Sequence, residues 1–404
     1  DLKWETTISR NLGLDFGFLN NRINGSLEIY WNTTKDLLMA VPVDNTTGYS
    51  YQFQNFGKTS NRGIELSLNF DVINKGDFRF NIGAIYNYNR NKLDELPNAD
   101  QYLYSSYWGS SSLVPTNDYM FVEGKAIGLV RGFVSEGFYT VNDFRYENGQ
   151  YILKEGIPDI TKALTATYMH PFNIPNGQTA FPGAAKFRDV NNSGTVDLDD
   201  ATCLGEVMPR HTGSFQLNFN YKNFDLSSNF NWTAGGKVYN VAAMINASGQ
   251  EFDGIGAQRT SWVADTYKVY NVNSSGDLYA VTDPNELNAL NANAKYHLPY
   301  HQSGITSSEW LEDGSYLRLQ TLTLGYTLPH TVLNKIHIEK LRIYLTATNL
   351  FTITGYSGID PEVNATPTGQ SGFYSNLRVF PTLNMDFGTY PRARTFTLGA
   401  NITF

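Results

Sequence analysis

The stretch from Asp189 to Asp200 is the part of the sequence best suited to chemistry, because oxygen-bearing side chains alternate along it around a central Gly194. This spacing matches a calcium-binding loop of about twelve residues, in which alternate oxygens reach one cation and the glycine permits a sharp turn. We predict a structural calcium ion here. The expected ligands are Asp189, Asn191, Ser193, the Thr195 carbonyl, Asp197 (directly or through water) and Asp200. The alternative is an Asx-rich turn that holds no ion.

A second group consists of four aromatic residues in a long predicted connection: Tyr102, Tyr104, Tyr107 and Trp108. Aromatic rings stack on sugar faces or grip peptide side chains, because they add contact area at little cost in conformational entropy. We predict substrate binding at this cluster. The alternative is that the rings bury against a neighbouring loop or a partner protein, since aromatic residues also fill interiors and interfaces.

Motifs of catalysis are absent from the sequence, which contains no His-Glu-x-x-His, phosphate-loop or Gly-x-Ser-x-Gly pattern. His297 and His301 have the spacing of two zinc ligands on one helix. Pro299 lies between them and would break that helix, so we interpret both as ordinary loop histidines. We therefore expect that the protein is not an enzyme.

The composition favours many short strands and turns. Of the 404 residues, 14% are aromatic and only 17% are charged, and there are 35 glycines. The net charge of -8 disfavours nucleic acid as a partner, because nucleic-acid binding requires a basic surface. The single cysteine, Cys203, excludes an internal disulfide. No run of about 18 apolar residues predicts a transmembrane helix.

Apolar and polar residues alternate along nine segments, and this two-residue period predicts strands with one apolar face. Leu12, Leu14, Phe16 and Phe18 share such a face in the first of them. Most of the runs are close to the roughly 9–11 residues that cross a bilayer when tilted. The predicted strands are 12–18, 23–32, 64–71, 78–87, 215–221, 224–232, 317–328, 341–348 and 395–404.

Short and long connections alternate between these strands. The short ones lie at 19–22, 74–77, 222–223 and 329–340, and the long ones at 38–61, 91–211, 233–314 and 350–393. Outer-membrane barrels have this asymmetry, with tight periplasmic turns and long extracellular loops. We expect little regular structure in the long connections, apart from a short helix that begins at Asp283 and Pro284.

These patterns predict an all-β fold, a transmembrane antiparallel β-barrel with long extracellular loops. A soluble barrel with its apolar face turned inward has the same periodicity, and the loop asymmetry favours the membrane. Nine strands that begin with an inward pass also place Phe404 in the periplasm, where such barrels end. We therefore predict a multi-pass protein of the cell outer membrane, in contact with membrane lipid and lipopolysaccharide.

Several segments resemble landmarks of the SusC-like family of TonB-dependent transporters, which occur in the outer membranes of Bacteroidetes. They span nearly the whole chain in the family's order and are specific as a set. The segments are Leu2–Thr7 with Gly13–Asp15, Asn55–Gly57 with Asn61–Leu66, Ser315–Leu319 with Leu324–Pro329, Asn349–Phe351 with Gly358–Glu362, and Tyr390–Arg392 with the ending at Phe404.

The resemblance implies that residues 1–404 are the C-terminal portion of a 22-stranded barrel. It further implies an amino-terminal plug inside that barrel, energy coupling through TonB and a SusD-like surface lipoprotein as a lid. The plug, the TonB-contacting segment and the earlier strands are not in this sequence, and we interpret them as belonging to the remaining N-terminal part of the protein.

The expected function is nutrient import, namely TonB-dependent uptake of oligosaccharides or oligopeptides together with a SusD-like lipoprotein. Nothing in the sequence selects between glycan and peptide as the substrate. One alternative is a secreted β-rich carbohydrate-binding protein or glycan hydrolase. Another is a barrel that serves only as a receptor or adhesin.

Overall fold

The computed structural model describes the chain except for residues 1, 44, 50, 56, 97–100, 107–112, 166–169, 249–263, 299–303, 334–337 and 364–382. Ten of the described strands form one antiparallel sheet, which we call the wall. They are β1 (Thr6–Ile8), β2 (Asn11–Phe18), β3 (Ile23–Lys35), β4 (Lys58–Lys75), β5 (Phe78–Glu95), β6 (His211–Tyr221), β7 (Phe224–Ala234), β8 (Tyr316–Thr327), β9 (Lys340–Thr354) and β10 (Thr395–Thr403).

The wall is an open sheet. β1 and β2 both pair with β3, so these two strands together make the first pass, and from β3 to β10 each strand pairs with the next. Among the described strands, β10 pairs only with β9, and β2 pairs only with β3. Both outer edges of the wall are therefore left without a strand partner in this part of the chain.

One face of the wall is apolar and the other is polar, because the register places like residues opposite each other. Leu27 lies opposite Leu66, whereas Ser26 lies opposite Ser67. The apolar face is exposed, as shown by the exposed fractions of 60% for Leu14 and 76% for Leu398. The alternation predicted from the sequence is confirmed.

The predicted alternation of connections is also confirmed. Short links of residues 19–22, 76–77, 222–223 and 328–339 join strands at one end of the wall. The connections at the other end span residues 36–57, 96–210, 235–315 and 355–394. We call these four long connections together the outer layer. No helix among the described residues is both long and apolar enough to cross a membrane.

The expectation of little regular structure in the outer layer is wrong. Its strands are Leu38–Pro42, Tyr51–Asn55, Gln101–Tyr104, Tyr119–Val122, Leu129–Gly132, Ser135–Phe138, Phe144–Glu147, Gln150–Leu153, Asp159–Ile160, Ala185–Phe187, Thr195–Val196, Thr202–Glu206, Lys237–Asn240, Tyr270–Val272, Leu278–Ala280, Leu311–Asp313 and Met385–Asp386. Helices are α1 (Lys162–Thr165), α2 (Val241–Ser248), α3 (Pro284–Leu290) and, within the short link 328–339, α4 (His330–Leu333). Single 3-10 turns occur at Asn45–Thr47, Val141–Asp143, Leu198–Asp200 and Ser308–Trp310.

The buried apolar side chains cluster mainly in the outer layer rather than in the wall. A first core joins residues 133–201 to residues 267–305, with Phe133, Tyr139 and Leu287 fully buried. A second core joins the outer end of β5 to residues 102–130, 239–245 and 310–311, with Tyr119 and Tyr239 fully buried. The wall strands bury little between themselves, because their two faces point to different surroundings.

The short helix predicted at Asp283 is confirmed as α3. The Asp283 carboxylate accepts hydrogen bonds from the N–H groups of Asn285 (2.9 Å) and Glu286 (3.1 Å), which satisfies two amides that the first helical turn leaves free. Leu287 is fully buried in the first core, and Leu290 packs against the same core. The helix therefore packs on its neighbours as expected.

A glycine on the polar face allows two polar side chains to meet across a strand. Gly63 in β4 lies between Tyr30 of β3 and Asn89 of β5. The Tyr30 hydroxyl passes over it and donates to Asn89 Oδ1 at 3.0 Å. A Cβ atom at position 63 would overlap both the Tyr30 ring and the carbonyl of Tyr88.

We expect that Gly63→Ala lowers the stability of the full-length protein by about 1–3 kcal/mol, because an added methyl in a filled space forces its neighbours to shift. Gly13→Ala is the matched control, since a Cβ there meets Glu28 Cγ at an ordinary 3.8 Å. Thermal unfolding in detergent would measure both variants. Equal unfolding temperatures for the two would contradict the prediction.

Candidate functional site

The predicted calcium loop is anchored in the first core of the outer layer. Its Thr195–Val196 strand pairs in parallel with Asp159–Ile160, and the Val196 side chain is fully buried. The loop ends in the 3-10 turn Leu198–Asp200. Backbone pairing on one side and a buried valine therefore fix where the loop sits.

The loop's carboxylates accept hydrogen bonds from its own backbone. Asp200 is fully buried and accepts from the N–H groups of Val190 (2.7 Å), Asn191 (3.2 Å) and Asp197 (2.8 Å). Asp189 accepts from Ser193 and Gly194 at 3.1 and 2.7 Å. These bonds hold the predicted ligands in one compact turn.

The backbone of the loop turns sharply at Gly194, as the sequence predicts. Gly194 has a φ of +87°, which permits the sharp turn, and the Ser193 hydroxyl donates to the Thr195 carbonyl at 2.8 Å. No three His, Cys, Asp or Glu side chains group as a metal site among the described residues. The predicted set also includes amide, hydroxyl and carbonyl oxygens, which suit hard cations such as calcium. Calcium binding at this loop stays a prediction.

The predicted aromatic cluster lies partly in the second core. Tyr104 is 4% exposed, with its ring centroid 4.8 Å from that of Phe121 and 5.6 Å from that of Tyr119. Burial, with a smaller contribution from the Asp118 charge, raises the pKa of Tyr104 well above its ordinary value. Tyr102 is half-buried against the same core, and Tyr107 and Trp108 lie outside the described residues. The position of Tyr104 favours the alternative of burial for that residue.

The structure describes one of the two histidines that have zinc-ligand spacing. His297 is 3% exposed, and its Nε2 lies 3.8 Å from Glu309 Oε2. Burial raises the pKa of Glu309, and the nearby histidine opposes this shift. His301 lies outside the described residues.

The polar face of the wall carries a groove of about 470 Å³ that sequence reasoning missed. Glu28 of β3 and Glu65 of β4 lie directly opposite each other in it. Asn11 donates to Glu28 Oε2 at 2.9 Å, and no described basic side chain forms an ion pair with either glutamate. Like charges in register destabilise a sheet unless a cation lies between them. The strand register, which the sequence does not give, was the missing signal.

A second polar site joins three of the segments that resemble family landmarks. Arg318 is 1% exposed, and its Nη2 donates to Asp360 Oδ1 at 2.5 Å. Its Nε donates to the Thr352 hydroxyl at 3.1 Å. Glu362 lies 3.2 Å from Arg318 Nη1 and 2.6 Å from Arg392 Nη2. Ser315–Leu319, Gly358–Glu362 and Tyr390–Arg392 therefore meet in one ionic cluster.

Comparisons with known proteins agree with this architecture. Residues 1–350 match the family described as TonB dependent receptor-like, beta-barrel. TonB-dependent receptor P3 of Formosa agariphila is 30% identical over 404 residues, which cover 100% of this chain and 34% of that receptor. TonB-dependent receptor SusC of Bacteroides thetaiotaomicron is 27% identical over 412 residues, covering 100% of this chain and 32% of SusC.

Solved structures have the same fold. The RagAB peptide transporter aligns with a TM-score of 0.66 at 21% identity, covering 99% of this chain and 36% of that one. The chain thus spans about a third of the length of the relatives it matches. The expected transmembrane antiparallel β-barrel and the SusC-like resemblance are confirmed. The chain belongs to the TonB-dependent receptor-like β-barrel family and is part of an outer-membrane protein.

Proposed function

We propose that the protein imports nutrients across the outer membrane by TonB-dependent uptake, and that this chain supplies the C-terminal part of its barrel and outer layer. The observation that carries the proposal is the open wall with long connections at one end, in a chain of the TonB-dependent receptor-like family. Family membership also favours this proposal over a secreted carbohydrate-binding protein or glycan hydrolase. In this role the wall is a scaffold and has no catalytic chemistry.

The two free edges of the wall support a larger barrel. Strands in hydrocarbon need a partner on both sides, because unpaired amides and carbonyls find no water there. The relatives are about three times as long as this chain, which leaves room for the remaining strands and a plug. We therefore assign β2 and β10 as the two strands that join the rest of the barrel.

The Glu28–Glu65 pair supports a plug inside the barrel, on the polar face of the wall. Two adjacent carboxylates without a described basic partner call for a cation, and a lysine or arginine of the plug would supply it. Coupling of that plug to TonB would then provide the energy for uptake. Both elements lie in the part of the protein outside this chain.

We propose that the outer layer is the region that contacts the substrate and the lid. RagAB is named a peptide transporter. SusC is named a TonB-dependent receptor, and its sequence aligns with the whole length of this chain. We propose oligosaccharides or oligopeptides as substrates and a SusD-like lipoprotein as the partner above the outer layer. Tyr102, half-buried at the edge of the second core, is the candidate substrate contact among the described aromatic residues.

We also propose that the loop from Asp189 to Asp200 binds calcium. The ion would stabilise the outer layer and would take no part in transport chemistry. Support comes from the alternating oxygens, the positive φ of Gly194 and the anchoring of the loop in the first core.

Deleting the gene from the producing bacterium tests the transport function. We expect loss of uptake of one class of labelled substrate, oligosaccharides or oligopeptides, and recovery when the wild-type gene is restored. Dissipating the proton gradient should also stop uptake. Uptake that is unchanged by deletion, with binding at the cell surface lost, would favour a receptor or adhesin and contradict import.

Neutralising the two glutamates tests the plug contact. In the full-length protein, Glu28→Gln with Glu65→Gln should speed hydrogen exchange in the plug about tenfold, because a buried cation would lose its counter-charges. Asp15→Asn is the matched control, since Asp15 is an exposed acid on the same face and lies opposite Ser26 rather than another acid. Equal exchange in both variants would contradict the contact and leave the uptake result unaffected.

Removing calcium tests the loop. The unfolding temperature of the full-length protein should rise on adding calcium and fall with a chelator, since an ion at a hundred times its Kd stabilises by about 2.7 kcal/mol. Asp189→Asn should abolish this response. Asp199→Asn is the control, because Asp199 lies in the loop but is not a predicted ligand. A wild-type protein that responds to neither treatment would rule out the ion.

A further inference from the structure

Tyr344 of β9 lies between two glycines on the polar face of the wall. It is directly opposite Gly325 of β8 on one side and Gly399 of β10 on the other. Its chain neighbours Ile343 and Leu345 are exposed on the apolar face, so the tyrosine belongs to the polar one. Because a glycine has no side chain, the space above either one could receive the tyrosine ring.

The space above Gly325 is filled by an ion pair. Arg342 of β9 reaches across this glycine to Asp225 of β7 and donates to its carboxylate from Nε at 2.9 Å and from Nη2 at 2.5 Å. A Cβ atom at position 325 would overlap both side chains. The Arg342 guanidinium also lies 5.0 Å from the centroid of the Tyr344 ring, where the two attract each other. The ion pair therefore leaves no room for the ring on the β8 side.

The Tyr344 ring lies above Gly399 instead. A Cβ atom at position 399 would overlap the hydroxyl oxygen and the Cζ atom of the tyrosine. Gly399 is also the only residue of β10 that is not exposed, because the tyrosine covers it. No described residue forms a hydrogen bond with the Tyr344 hydroxyl. The side chain thus crosses the last strand of the wall and carries a hydrogen-bonding group toward its free edge.

The wall contains a complete example of the same arrangement. Tyr30 of β3 crosses Gly63 of β4, and its hydroxyl donates to Asn89 Oδ1 of β5 at 3.0 Å. Asn89 lies directly opposite Gly63. A tyrosine, a glycine and an acceptor therefore occupy opposed positions on three successive strands of the polar face. Tyr344 and Gly399 repeat the first two positions, and the third position would lie on a strand that pairs with β10.

The rest of the protein supplies the strand for that third position. β10 has a partner on one side only among the described strands, and the relatives are about three times as long as this chain. Directly opposed residues of an antiparallel pair place their side chains on the same face. The residue opposite Gly399 would therefore point to the polar face, where an amide or carboxylate oxygen can accept from the Tyr344 hydroxyl.

We propose that Tyr344 and Gly399 form one half of a clasp across the closing seam of the barrel. The other half is an amide or carboxylate side chain directly opposite Gly399, on the strand that pairs with β10. The clasp rests on the assignment of β10, under the proposed function, as a strand that joins the rest of the barrel. It fixes the register of the seam, because a slip of one residue would turn the acceptor to the apolar face.

An experimental structure of the full-length protein in a lipid nanodisc tests the contact directly. We expect a side-chain amide or carboxylate oxygen within roughly 3.2 Å of the Tyr344 hydroxyl oxygen, on the residue opposite Gly399. A strand beside β10 that offers the hydroxyl only water or an apolar side chain would overturn the clasp and leave the joined barrel in place. A free edge at β10 in that structure would overturn both the clasp and the assignment of β10.

Tyr344→Phe tests the contact in solution, because it removes the hydroxyl and keeps the ring above Gly399. In the full-length protein we expect amide hydrogen exchange in β10 to become about fivefold faster, since one hydrogen bond across the seam is lost. Tyr30→Phe, which removes the described bond to Asn89, should have a similar effect on β5. Tyr221→Phe is the matched control, because Tyr221 is an exposed wall tyrosine whose hydroxyl makes no described hydrogen bond. Exchange in β10 that is equally slow in the Tyr344 and Tyr221 variants would overturn the clasp, whereas substrate uptake reports on import separately.

Discussion

A membrane's hydrocarbon contains no water, so each backbone N–H and C=O in the wall has to find its partner within the protein. Strands β3 to β9 meet this requirement along most of their length, because each pairs with a strand on both sides. β2 and β10 meet it on one side only among the described strands. An open sheet of this kind is not stable in lipid on its own, and we expect strands from the rest of the protein to complete it.

The same constraint explains how much of the wall could be predicted from the sequence. Each pass has to place apolar side chains toward lipid and polar ones on the other face, so the two-residue period persists over whole strands such as β2. The predicted passes and the alternation of short and long links were correct. The predicted strand ends were less accurate. At their outer ends β4 and β5 run about six to eight residues beyond the predicted segments, because there the two strands pair with each other outside the part of the sequence in which apolar and polar residues alternate.

The outer layer could not be predicted in this way, because it folds around conventional cores. Leu129–Gly132 pairs with Thr202–Glu206, about seventy residues later in the chain, and each strand is too short to show a period. The burial of an outer-layer side chain such as Tyr104 depends on pairing between segments that are far apart in the sequence. The ionic cluster has the same origin: the sequence contains Arg318, Asp360 and Arg392, but only the fold brings them together. The sequence showed that these segments resemble family landmarks. It did not show that their charged residues come together in the fold.

The wall and the outer layer therefore depend on different forces. Lipid and backbone pairing hold the wall, whereas burial of apolar side chains holds the layer above it. The loop from Asp189 to Asp200 is held by burial, as the outer layer is. Val196 is fully buried in the first core, and Asp200 is fully buried beneath the turn. Any ion bound there would stabilise the outer core rather than the membrane strands. Its effect would be greatest in the outer layer, and a loss of the ion would loosen that layer while the wall stayed intact.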